Sequence, residues 1–137
     1  MIVLSNTIAQ TIAPGQSLTF NVKVLHTGCG ECYRDGSGAV GLRAKSGIYN
    51  CFCKLNVASE TSADPVQLAL AMGGSPLLET TMISTPSAAN VFNTVACETL
   101  ISTCCCDGGA GVVTVINTGE NPVVVDANPC LCIKRVA

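Results

Sequence analysis

Residues 48–57 read IYNCFCKLNV, where Tyr49, Cys51, Cys53, Leu55 and Val57 alternate with Asn50, Phe52, Lys54 and Asn56. Such a period of two sets one face of an extended strand against a core and leaves the other face open. The same period recurs on both sides of this run. In residues 18–25, LTFNVKVL, Leu18, Phe20, Val22 and Val24 share a face, and Thr19, Asn21 and Lys23 take the other. Residues 66–72, VQLALAM, align Val66, Leu68, Leu70 and Met72. Gly73-Gly74 then turns the chain, and a second strand is expected near 77–83. Further strands are expected over 2–4, 8–12, 91–101, 111–117, 122–126 and 130–136, with a turn at Thr118-Gly119-Glu120-Asn121. A helix fits poorly: only 66–72 has the composition for one, and Pro65 and Gly73 bound it too closely.

Many short strands at regular spacing indicate an all-β sandwich or barrel. The chain has 137 residues and shows no linker, low-complexity tract or repeat, so one domain over residues 1–137 is expected. Its charged share is 12% and its hydrophobic share 48%. Soluble domains average about 25% charged residues. Part of this surface is therefore expected to be Ser, Thr, Asn and Gly, and part to be buried against partners. The net charge is −2 and the seven Lys and Arg are scattered, which argues against a nucleic-acid partner. Residues 1–22 carry no charge but include Asn6, Gln10, Pro14, Gly15 and Gln16. That mixture fits neither a signal peptide nor a membrane span, so synthesis in the cytoplasm and no membrane partner are expected.

Ten cysteines stand at positions 29, 32, 51, 53, 97, 104, 105, 106, 130 and 132. On a strand, Cys51 and Cys53 share a face, as do Cys130 and Cys132. Residues two apart on one strand bridge each other poorly, and cross-strand pairing is easier. Three readings stay open. The thiols are buried small hydrophobes, or disulfides formed after release, or metal ligands. Cys29 and Cys32 have the C-x2-C spacing of a zinc knuckle, with His26 three residues earlier.

No catalytic residue is expected. His26 is the single histidine; with Cys29 and Glu31 it makes a nucleophile–base–orienter set only on paper, since a turn with Gly28 and Gly30 explains these residues more simply. Asp35 and Asp107, each beside glycine, read as turn residues before calcium ligands.

Three stretches resemble the trimeric jelly rolls of the tumour necrosis factor and C1q superfamily: TIAPGQSLTFNVKVL (11–25), SGIYNCFCKLNV (46–57) and VVTVINTGENPVVVDANPCLCIKRVA (112–137). The chain departs from that pattern in its 4% aromatic content, its lack of Trp and its cysteines. The resemblance implies an antiparallel jelly-roll sandwich assembled as a homotrimer, with Tyr49, Leu131, Ile133 and Val136 assigned to the subunit interface: Tyr49 packed inside the sheet that faces the neighbour, the other three in the inner sheet or the contact itself. It also implies that the loop before residue 46 and the loop carrying residues 104–106 share one end. Cys29 and Cys32 would there meet Cys104 and Cys106, four soft ligands suited to zinc or iron, or a disulfide.

The chain also resembles short jelly-roll proteins of gut Firmicutes and their phages, through LHTGCGEC (25–32), ETTMISTPSAANVFN (79–93) and IKRVA (133–137). That resemblance implies a non-enzymatic virion component: a capsid decoration protein, head fibre or spike head, with partners such as the major capsid protein. The alternative it leaves is a surface or spore-coat module that binds a glycan or host protein. A cupin-like metalloenzyme needs several histidines, and this chain has one.

Overall fold

The computed structural model describes residues 1–44, 46–103 and 111–137. Thirteen strands are described: β1 (Ile2–Ser5), β2 (Gln10–Ile12), β3 (Val22–His26), β4 (Glu31–Tyr33), β5 (Val40–Leu42), β6 (Gly47–Ser59), β7 (Val66–Met72), β8 (Ser75–Pro76), β9 (Met82–Ser84), β10 (Asn93–Thr103), β11 (Val112–Asn117), β12 (Val123–Val125) and β13 (Cys130–Arg135). A single 3-10 turn spans Leu78–Thr80.

Two antiparallel sheets face each other as a jelly-roll sandwich. The first is organised on β6, the longest strand. β10 pairs along one edge of β6 from Asn93↔Val57 to Thr103↔Gly47. The other edge takes β13 and then β12, which lead on to β1 and β3 and to β2. The second sheet runs β4-β5-β11-β7-β8, with β9 also on β7.

The alternation of 48–57 explains β6. Tyr49, Cys51, Cys53, Leu55 and Val57 are sealed inside, where they meet Ile2, Leu4, Leu131 and Ile133 of the same sheet and Val40, Leu42, Leu68, Leu70, Val113 and Val115 of the other. Burying each such side chain contributes roughly 1.5–3 kcal/mol before chain entropy is set against it. Gly73 (φ 59°) and Gly74 (φ 84°) form the expected two-residue turn, and β7 returns directly as β8 through Met72↔Ser75.

Three expectations change. The strand expected over 18–25 begins only at Val22. Leu18 and Phe20 are buried, but the Leu18 amide donates to Val115 and the Phe20 amide to Ser37, so this stretch lies against the second sheet before crossing to the first. A register shift opposite Val3 and Leu4 then breaks the period, and Val24 is 61% exposed. The strand expected near 77–83 is interrupted, because the Thr80 hydroxyl takes the Leu70 amide at 2.9 Å in place of a ladder carbonyl. Strands β4 and β5 lie in a stretch where the sequence suggested turns. They are three residues each, too short to display a period.

Candidate functional site

Residues directly opposite in an antiparallel pair point to the same side of a sheet. The register therefore sorts the outward face of the first sheet without ambiguity. Leu25, Val3, Cys132, Phe52 and Glu98 form one row across β3, β1, β13, β6 and β10. Cys130, Lys54 and Ala96 form the next row, and Lys134, Asn50 and Leu100 the row on the other side. Leu100 is 62% exposed, and Leu25, Ile48 and Val136 also stand open. The Asn50 amide donates to Glu98 at 2.8 Å and the Thr94 hydroxyl to Asn56 at 2.7 Å, which holds β10 to β6 on this side. The face thus carries a central apolar stripe with Lys54 and Lys134 beside Glu98.

This corrects the interface expected from the resemblance. Tyr49, Leu131 and Ile133 are fully buried inside the subunit and present nothing to a neighbour. The physical reason is the period of two: they share the inner face of β6 and β13, whereas Phe52, Cys130 and Cys132 take the outward one. Of the four residues expected there, Val136 remains open, and its amide donates to Ile48 at 2.8 Å.

Tyr49 has a different task. Its hydroxyl donates to the Gly30 carbonyl and accepts from the Ala44 amide, so it pins the loop before β4 to the end of β5. A cleft of about 630 Å³ lies beside this pin, lined by Met1, Gly28, Glu31, Arg43, Lys134 and Arg135 among others. At its floor the Glu31 carboxylate is ion-paired with the Met1 amine at 3.0 Å, and its second oxygen is buried without a partner among the described residues. The Arg135 guanidinium donates to the carbonyls of Ala137 and Ser46. His26 meets the backbone carbonyl of Glu31 at 3.1 Å, not its carboxylate. The Glu31 carboxylate pairs with Met1 and so does not serve as the orienter of His26.

The described cysteines are free thiols. Burial pushes the Cys51 thiol up to about 12, with Cys97, Cys132 and Glu31 adding to it. Burial likewise raises Cys97 to about 11, raises Cys53 well above the ordinary thiol value and raises Cys130. These groups stay protonated at neutral pH and are poor nucleophiles there. Cys29 is exposed and Cys32 half-buried over Gly41, where any Cβ would sit 2.5 Å from the Cys32 sulfur. Among the described residues no group of three or more His, Cys, Asp or Glu side chains converges as a metal site. Cys104 and Cys106, expected to complete one with Cys29 and Cys32, lie outside the described residues.

The fold is the jelly roll of the tumour necrosis factor type. A structure of murine APRIL at pH 5.0 aligns at a TM-score of 0.66 and 15% identity, over 98% of this chain and 98% of its own. Eiger TNF from S. frugiperda aligns at a TM-score of 0.72 and 10% identity, over 99% of this chain and 91% of its own. The PRD1 vertex protein P5 aligns at a TM-score of 0.45 and 15% identity, over 99% and 97%, a likeness too loose to argue from. No protein-family model and no curated protein matches the sequence.

Proposed function

We propose that this chain is a non-enzymatic structural protein that assembles as a homotrimer through the outward face of its first sheet. The observation that carries this reading is the row Leu25, Val3, Cys132, Phe52 and Glu98 with its neighbour Leu100, an apolar stripe flanked by charges of both signs. Apolar stripes with complementary charges at the margin suit contact between copies. The 12% charged share supports the same reading, since the chain is poor in the charges that cover a free monomer. Closing three copies around an axis buries such a face in each and leaves no open end to extend.

Within that reading, the chain is a phage virion component, placed as a capsid decoration, head fibre or spike head beside other virion proteins such as the major capsid protein. The sequence resemblance to short phage jelly rolls supports this placement. Light scattering on the purified chain tests the assembly: a mass of three chains is expected, and a monomer overturns it and favours a binding module that acts one copy at a time. Mass spectrometry of particles purified from lysed cells that encode the chain tests the placement. Absence of its peptides from intact virions defeats it.

A further inference from the structure

We propose that Cys53 and Cys97 form a modification site, closing a cross-strand disulfide that ties β10 to β6 when the folded protein meets a small-molecule disulfide. The register carries the inference. Cys97 stands directly opposite Cys53, and both project to the inner side of the sheet. Directly opposed residues in an antiparallel pair have Cα atoms about 4.5–5.5 Å apart. A disulfide accepts Cα separations of roughly 4.4–6.8 Å.

Among the described cysteines no other pair is placed so. Cys51 lies opposite Thr99 on β10, Cys130 opposite Lys54 and Cys132 opposite Phe52. Cys51 and Cys53 follow each other along one face of one strand, where their bonds to sulfur run parallel. The two sulfurs of the proposed site also differ in access. Cys53 is sealed in the core, whereas Cys97 is half-buried on β10, which among the described residues pairs only with β6.

That asymmetry sets the order of events. The Cys97 thiolate attacks one sulfur of the reagent, here oxidised glutathione, breaking its S–S bond and releasing one glutathione thiolate. Cys53 loses its proton and attacks the Cys97 sulfur of the mixed disulfide, releasing the second glutathione. Two protein thiols are oxidised, one reagent disulfide is reduced to two thiols, and the two protons end on the glutathione sulfurs. Burial holds Cys97 near 11, so the first step is slow at neutral pH and gains about tenfold per pH unit below that value. The inference does not depend on the proposed trimer.

The test incubates the folded protein with oxidised glutathione at pH 8 and pH 9, quenches in acid, alkylates in denaturant and maps the peptides. A linked Cys53–Cys97 peptide is expected, forming about tenfold faster at the higher pH. The oxidised form is expected to melt about 5 °C or more above the reduced form. In Cys53→Ala, Cys97 is expected to stop as its glutathione mixed disulfide, with no rise in melting temperature. Recovery of Cys53 and Cys97 as alkylated thiols at both pH values, or a wild type that stops at the mixed disulfide, overturns the proposal. A melting shift that survives in Cys97→Ser does the same.

Discussion

The hydroxyl of Tyr49 donates to the carbonyl of Gly30 across 3.0 Å, and the Ala44 amide donates to that same hydroxyl at 3.2 Å. One phenol on the central strand thus satisfies two backbone groups of the second sheet's entry and exit. Tyr49 is fully buried, while the Gly30 carbonyl also accepts from the Arg43 amide and both backbone groups border the cleft, so loss of the hydroxyl removes the pin without burying an orphaned group. Tyr49→Phe is expected to cost about 0.5–1.5 kcal/mol, read as a lower urea midpoint with an unchanged slope.

Asn117 fastens the opposite end in a similar way. Its amide donates to Ile12 at 2.9 Å and to Asn121 at 2.8 Å, while its carbonyl accepts from Gly119. These bonds fix the turn between β11 and β12 and tie it to β2. Asn117→Ala is expected to cost about 2–3 kcal/mol, and Asn117→Asp at least as much, since it keeps an acceptor for the Gly119 amide but turns a buried carboxylate oxygen on the Ile12 and Asn121 carbonyls. Chemical denaturation of the two variants checks the order.

Gly38 packs closely against the Leu18 backbone. A Cβ built there would collide with the Leu18 carbonyl oxygen, and that oxygen belongs to backbone already bonded across to β11. Neither side yields easily. Gly38→Ala is expected to lower the thermal midpoint, at a cost of about 1–3 kcal/mol. An unchanged midpoint would show that the Leu18 segment moves freely.

Stability should fall in alkali. Cys51, held near 12, and Cys97, held near 11, keep their protons in the folded state while the unfolded thiols release theirs near 9. The unfolded state then binds fewer protons, so stability is fully present below about pH 9 and declines as pH rises through the folded values. Cys53 and Tyr33, both raised by burial, act in the same direction. Urea midpoints at pH 8 and pH 10.5 measure the fall, and Cys51→Ala should make it shallower.

The outward face of the first sheet makes its own prediction. Leu100→Glu and Phe52→Glu place a carboxylate on the apolar stripe without touching the inner core. Both are expected to shift the light-scattering mass to a monomer while circular dichroism stays unchanged. Val112→Glu, exposed on the outer face of the second sheet, is the matched control and should assemble as the parent does.

Much of the fold was legible because period two is a local property. β6, β7, β11 and β13 each show it within their own residues, and their turns carry glycine or asparagine where the backbone demands it. β4 and β5 were not legible, since three residues cannot display a period. Thr80 was hidden for another reason: its hydroxyl substitutes for a ladder carbonyl only because the fold brings it to Leu70.

The sequence by itself determined that Tyr49, Cys51 and Cys53 share one side of a strand and Asn50, Phe52 and Lys54 the other. It also determined that short strands fill the chain. Only the tertiary structure decided that Cys97 faces Cys53, that Leu131 and Ile133 lie inside, and that Phe52, Cys132 and Leu100 look outward together. Alternation follows from neighbours along the chain. Pairing is decided by which distant strands best seal the inner faces, and that competition is settled only when both sheets close on one core.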